Sequence, residues 1–336
     1  MRAILMREPG GPDVLTETDL PMPVVERPTD VLVRLAAASV NPIDTKIRSR
    51  GPLLPDTLTA VPGCDGAGIV EAIGDAVSRF KPGDAVWFCH GGLGGPKGNY
   101  AEFIVVDESV AQPKPRSLDF VHAAAAPLVL ITAWEALHDR ARLREGQTLL
   151  IHAGAGGVGH VAIQLAHLAG ARVAATVSSA EKADYVHALG AECAINYREE
   201  DLVGAVADWT EGRGVDIAFD TVGAKTFGQT IPAMAVYGDL VTILDPSPAD
   251  LTEARNLNLR ISLELMLTPQ LKGMTEAMAY QGSILRRCGD LFDQGKLEIY
   301  VGETFPLERA ADAHRRIEAG GLKGKVALTI DARAGT

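Results

Sequence analysis

The chain has 336 residues, 47% of them apolar and 22% charged, with a formal net charge of −11. At about 100–200 residues per domain this length implies two domains, and the composition is that of an ordinary globular protein. The acidic balance excludes nucleic acid and anionic membrane as general partners. The four cysteines, Cys64, Cys89, Cys193 and Cys288, form no C-x-x-C pair, which suits reduced thiols in a cytoplasmic setting better than a disulfide framework. The N-terminal MRAILMREPGG lacks a secretory h-region, and the longest apolar stretch, 123–134, is too short to span a bilayer.

From residue 1 to about 121 the chain reads as short strands separated by Gly-Pro and Pro-Gly punctuation, with 31–35, 68–73 and 103–106 rich in β-branched residues. No helical period of useful length is evident there, so an all-β, barrel-like unit is expected. The pattern changes near 122. Residues 122–137 are Ala-rich and helical, and then strands (147–153, 172–177, 193–195, 217–220, 240–244) alternate with helices (157–168, 181–189). Such alternation implies βαβ units and a parallel sheet. Residues 259–267 read as one last strand, followed by a helix at 282–294, a strand at 298–301, a helix at 310–319 and a strand at 325–330.

The chemical signal lies in HAGAGGVG, which follows the strand QTLLIHA and opens a helix. Gly154, Gly156 and Gly159 satisfy G-x-G-x-x-G, with Gly157 and Val158 between them. The glycines allow the turn, the backbone approach to a pyrophosphate and the packing of helix on strand; the helix N-terminus then faces the phosphates. An NAD-binding site would place an acid at the tip of the next strand. Here that tip carries Ser178 and Ser179, with Lys182 one turn on, and hydroxyls plus a cation suit the 2′-phosphate of NADPH.

At this point the chain resembles the medium-chain dehydrogenase/reductase superfamily, in its zinc-free quinone oxidoreductase group that includes zeta-crystallin. The resemblance runs through AAASVNPIDTKIRSRG (36–51), VPGCDGAGIVEAIGDAVSRFKPGDAVW (61–87), GNYAEFIVVD (98–107), ITAWEAL (131–137), the glycine motif (149–173), INYREED (195–201), VDIAFDTVG (215–223) and GKVAL (324–328). It implies an α/β protein with a GroES-like β-barrel catalytic domain over 1–122 and 269–336, and a Rossmann NADP-binding domain with a doubly wound parallel sheet over 123–268. It further implies a cofactor cleft between the domains and a homodimer formed at the Rossmann edge near 259–267. Carried over residue by residue, Asn41, Asp44 and Thr132 lie beside the nicotinamide and its ribose. Ser178, Lys182 and Tyr197 surround the 2′-phosphate, Ile243 lies near the nicotinamide and Lys325 near the cofactor phosphates. The glycine-rich loop 89–99 borders the substrate entrance.

Zinc alcohol dehydrogenases of the same superfamily ligate metal with a Cys near NPID, a His-Glu pair near residue 64 and a Cys before the T-A motif; this chain has Asn41, Cys64-Asp65 and Leu128 there. No metal site is therefore expected. A quinone or enone accepts hydride with only positioning and hydrogen bonding to the developing oxyanion. Enoyl-thioester reductases of this scaffold use a Tyr in the stretch after NP-x-D, where this chain has Lys46. The expected function is NADPH-dependent reduction of a quinone or an α,β-unsaturated carbonyl. The alternatives are an enoyl-thioester or alkenal reductase, a zinc-type alcohol dehydrogenase, and a non-catalytic NADPH-binding protein.

Overall fold

The computed structural model describes residues 1–54, 60–95 and 97–331. In chain order the elements are β1 (Arg2–Met6), β2 (Leu15–Asp19), β3 (Asp30–Val40), α1 (Pro42–Arg50), β4 (Asp65–Ile73), β5 (Ala85–Cys89), β6 (Phe103–Asp107), β7 (Gln112–Pro113), α2 (Phe120–Ala125) and α3 (Pro127–Trp134). A π-helical turn, Glu135–Arg140, follows α3. Then come β8 (Thr148–Ile151), α4 (Gly157–Leu168), β9 (Arg172–Val177), α5 (Ala180–Ala188), β10 (Cys193–Asn196), α6 (Leu202–Thr210), β11 (Val215–Asp220), α7 (Lys225–Thr230), β12 (Met234–Thr242), α8 (Thr252–Asn256) and β13 (Arg260–Leu263). The chain ends with α9 (Thr268–Lys272), α10 (Thr275–Asp293), β14 (Val301–Pro306), α11 (Ala310–Glu318) and β15 (Lys325–Thr329). It divides into two compact units, one of residues 1–128 with 267–336 and one of residues 129–266.

In the first unit seven strands pair in the order β14-β15-β3-β4-β5-β7, with β6 also on β3. The long β3 organises them. One side pairs with β4 throughout, while the other pairs with β6 over Asp30–Arg34 and with β15 over Ala37–Val40. Register shifts between Leu32 and Val33 and between Leu35 and Ala37 bend the strand so that it can serve three neighbours. The helix α1, within a stretch expected to be all β, is a correction. Pro42 fits the first helical turn, and the Asp44 carboxylate accepts the Asn41 N–H at 2.7 Å, so the helix is started by its cap rather than by apolar periodicity. The helix α2 straddles the expected domain boundary at 122/123, and it packs on β3, β4 and β15.

In the second unit six parallel strands run in the order β10-β9-β8-β11-β12-β13. Ranked by sequence this is 3-2-1-4-5-6, the doubly wound Rossmann order, whose direction reverses between β8 and β11. Buried Leu150, Ala174, Ile195, Ala218, Phe227 and Leu240 form the core beneath α6, α7 and α8. The strand expected over 259–267 is only the four residues of β13, because Glu264 turns inward to pair with Arg140 and Pro269 then opens α9. The helices α6 and α7 were not anticipated from the sequence.

Candidate functional site

Each unit carries one concentration of functional side chains. In the second unit it lies at the carboxyl ends of the strands, where the sheet order reverses. After β8 the chain turns through His152–Gly156 into α4, and Gly156 is the residue before the helix. The left-handed residue of this turn is Ala153 (φ 50°), so Gly154 is not needed for its backbone angle. A Cβ on Gly154 would instead stand 2.7 Å from the Ala175 Cβ, so this glycine lets the turn lie against β9. A Cβ on Gly159 would meet the Ala153 carbonyl oxygen at 2.3 Å, so here glycine permits helix and turn to touch. Gly157, Val158 and Gly159 form the first turn of α4, whose N–H groups have no intrahelical acceptor and therefore suit an anion.

Ser178 and Tyr197 follow directly on β9 and β10, whose last paired residues are Val177 and Asn196. The Tyr197 N–H donates to the Val177 carbonyl at 3.2 Å, which brings the two positions together. Tyr197 is exposed, and Ser178, Ser179 and Lys182 are half-buried. Ser179 caps α5, its Oγ accepting the Lys182 N–H at 3.4 Å, so its hydroxyl already has a structural task. Exposed Arg198, beside Tyr197, adds a cation that sequence reading did not single out. Ile243 is half-buried one residue past β12, held by its N–H to the Asp220 carbonyl, and Thr132 is buried on α3.

In the first unit Asn41, Asp44, Asp65 and Lys325 come together in a fully buried polar cluster. Asp65 Oδ1 accepts the Leu128 N–H at 2.8 Å, and its Oδ2 accepts Ser39 Oγ–H and Asn41 Nδ2–H, each at 2.8 Å. The Lys325 ammonium donates to Asn41 Oδ1 and lies 4.0 Å from Asp65 Oδ2. The Cys64 thiol donates to Asp44 Oδ1 at 3.5 Å. Burial pushes the Asp44 carboxyl up to about 7, since exclusion of water outweighs the Asn41 N–H. Burial likewise raises Asp65, opposed by the Lys325 charge, and lowers Lys325, opposed by Asp65 and Asp44. The expectation for Lys325 was a place near the cofactor phosphates; its side chain is directed into this cluster. Asn41 is also inward, with both ends of its amide engaged. Asp65, read from the sequence only as a missing metal ligand, is the hub; its signal was its place in the Cys64-Asp65 pair.

Lys46 is half-buried on α1, where burial lowers its pKa. His90 in the glycine-rich loop is held at about 4 by burial, which keeps it neutral; Pro96 of that loop lies outside the described residues. All four cysteines are free thiols. Arg260 pairs with Asp239, the residue opposite it on β12, and so has a structural role.

A family model described as the alcohol dehydrogenase GroES-like domain matches residues 27–116, and one described as zinc-binding dehydrogenase matches 189–328. The chain is 33% identical to the quinone oxidoreductase of Rattus norvegicus over 98% of each chain. It is 32% identical to the chloroplastic NADPH-dependent alkenal/one oxidoreductase of Arabidopsis thaliana, over 98% of this chain and 79% of the other. The crystal structure of Escherichia coli quinone oxidoreductase complexed with NADPH superimposes with a TM-score of 0.85 at 29% identity, covering 98% of this chain and all of that one.

Proposed function

We propose a function for this chain as a member of the medium-chain dehydrogenase/reductase superfamily, to whose quinone oxidoreductase group it belongs; it is an oxidoreductase with a GroES-like domain and a Rossmann-type domain. Its reaction is the NADPH-dependent reduction of a quinone or an α,β-unsaturated carbonyl, without zinc. The observation that carries this reading is the carboxyl edge of β8, β9 and β10. There a glycine turn with a free helix N-terminus stands in the same sheet as a strand tip bearing Ser178, Lys182 and Tyr197 and no acid.

NADPH, when bound, supplies the hydride. The turn Gly154–Gly159 and the first N–H groups of α4 would hold the pyrophosphate, and Ser178, Lys182 and Tyr197 would take the 2′-phosphate. Ile243 and Thr132 would border the nicotinamide, and by family resemblance Asn41 and Asp44 would face it and its ribose. Asp44, whose carboxyl burial pushes up to about 7, holds the start of α1 through the Asn41 N–H.

Zinc, named in one family description, does not suit the residues present. Both oxygens of Asp65 already accept hydrogen bonds, the Cys64 thiol faces Asp44, and an ammonium stands 4.0 Å from the carboxylate. A dication needs three or four converging N, S or O ligands, and among the described residues no three His, Cys, Asp or Glu side chains form such a group. An electron-poor acceptor supports this metal-free reading, because it needs no Lewis acid to take hydride. The alkenal oxidoreductase relative keeps enones within the substrate class, whereas Lys46 in place of a Tyr weakens the thioester alternative.

A homodimer through the free edge of β13 fits the exposed Leu263 and Leu265. The acidic surface speaks against nucleic acid as partner, and no helix among the described residues is long and apolar enough to cross a membrane. The free thiols fit a reducing, cytoplasmic compartment.

The test is NADPH and NADH consumption with benzoquinones, alkenals, crotonyl thioester and saturated aldehydes, with and without a chelator. The expected result is NADPH-preferring, chelator-insensitive reduction of quinones or alkenals. Equal use of NADH, or activity confined to alcohols and lost with chelator, would overturn it.

A further inference from the structure

The residue before the glycine turn belongs to none of the expected site residues, yet three other segments of the second unit meet on it. His152 is buried just past the end of β8. Its backbone N–H donates to the Phe219 carbonyl of β11 at 3.0 Å, and its carbonyl accepts the Thr221 hydroxyl at 2.7 Å. Its ring joins Thr230 of α7 through Nε2 at 2.8 Å and Thr176 of β9 through Nδ1 at 3.3 Å.

The neighbouring bonds fix the protons. The Thr230 hydroxyl donates to the Thr226 carbonyl at 2.7 Å, so toward the ring it can only accept. Nε2 therefore carries the hydrogen. Thr176 Oγ accepts the Ala153 N–H at 3.0 Å, which leaves its own hydrogen to donate to Nδ1. Burial, against the weaker attraction of the Asp220 carboxylate, holds the imidazole at about 4, which agrees with a neutral ring. Thr176 is the clamp of the turn: its Oγ holds the N–H of left-handed Ala153, and its carbonyl holds the Gly154 N–H at 2.9 Å.

We propose that His152 is a positioning residue for the dinucleotide: as a neutral Nε2–H ring it orients the Thr176 hydroxyl that holds the start of the turn, and so fixes where the first N–H groups of α4 stand. This rests on the reading that the turn binds the cofactor pyrophosphate. The ring acts on the turn through the Thr176 hydroxyl, so once that hydroxyl is gone, losing the ring as well adds nothing.

The experiment titrates NADPH by fluorescence into the full-length wild type, His152→Phe, His152→Asn, Thr176→Val and the Phe/Val double variant. His152→Phe is expected to raise Kd about tenfold, the equivalent of one hydrogen bond, and Thr176→Val, which also removes the acceptor of the Ala153 N–H, by at least as much. The double variant should be no weaker than Thr176→Val alone. His152→Asn, which keeps an acceptor toward Thr176, should recover most of the affinity. With saturating cofactor kcat should stay within about twofold, since the ring acts through the turn and not on the acceptor. Nitrogen chemical shifts of labelled wild-type histidine decide the matter even where a variant does not fold: a neutral ring protonated on Nε2 between pH 5.5 and 8 is expected. Protonation on Nδ1, an unchanged Kd in folded His152→Phe, or additive effects in the double variant would overturn the inference alone. Wild-type protein that binds neither NADPH nor NADH would overturn the proposed function and this inference with it.

Discussion

The polar clusters around Asp65 and His152, one in each unit, are built by different physics. The first gathers ionisable groups: Lys325, Asp65 and Asp44 lie in one fully buried cluster, each perturbed by loss of water. The second gathers neutral groups, the His152 ring and the hydroxyls of Thr176, Thr221 and Thr230, around the start of the turn. A buried ion that loses its partner is left uncompensated, whereas a neutral hydroxyl that loses one gives up about one hydrogen bond. Substitutions in the first unit should therefore act mainly on whether the chain folds, and those in the second on how well it holds a ligand.

The largest effect is expected at Lys325. Lys325→Met leaves the Asp65 carboxylate buried with no cation, a loss of about 3–5 kcal/mol, readable as a drop in the urea midpoint. Adding Asp65→Asn should recover part of it, since the orphaned charge is then gone. A midpoint unchanged in Lys325→Met would mean that the cluster is not ionic.

The next effect is one of pH. The Asp44 carboxyl stands at about 7 in the folded chain against an ordinary 3.8. The folded state therefore binds more protons than the unfolded state between these values. The stability this contributes is fully present below about pH 4 and is lost as pH rises through about 7, with a slope of up to about 1.4 kcal/mol per unit. Asp44→Asn cannot titrate and keeps an oxygen toward the Asn41 N–H, so its denaturation midpoint should be flatter over pH 5–8. An equally steep profile in the variant would move the titration to another group.

A smaller loss follows in the second unit. Gly159→Ala places a methyl 2.3 Å from the Ala153 carbonyl and 2.8 Å from Gly154 Cα, both backbone atoms that yield only by shifting the turn. About 1–3 kcal/mol is expected, more of it in NADPH affinity than in melting temperature. Equal binding by wild type and variant would separate the turn from the cofactor.

How much of this was legible in the sequence follows the same division. The second unit's site is local in the chain. Strand, turn and helix occupy 148–168, α4 and β9 fall on their expected residues, and parallel pairing aligns neighbouring strand ends, which sets Ser178 beside Tyr197. The first unit's cluster is assembled from positions 41, 44, 65 and 325 by β3, β4 and β15; Asn41 and Asp44 share one motif, but nothing near them in sequence names Asp65 or Lys325. That is why Asp65 read only as a missing ligand and the buried partners of Lys325 went unnamed. The helix α1 was invisible to apolar periodicity because its cap and proline start it. His152 looked like any strand residue because its partners come from β9, β11 and α7.

The smallest effect sharpens the reading of the strand tip. Ser179 and Lys182 were both expected at the 2′-phosphate, but Ser179 Oγ already accepts the Lys182 N–H as the cap of α5. A cap bond of 3.4 Å is long, so Ser179→Ala should cost about 0.5–1 kcal/mol of stability, at the low end for N-caps. It should leave the ratio of NADPH to NADH affinity within about twofold. Lys182→Ala removes a charge-assisted bond to the phosphate and should lower that ratio about tenfold or more. If Ser179→Ala lowers the ratio as far as Lys182→Ala does, the hydroxyl leaves the cap when cofactor binds, and the tip rearranges around the phosphate. If only Lys182→Ala lowers it, discrimination rests on charge, and the serine's part is to hold the helix that carries the lysine.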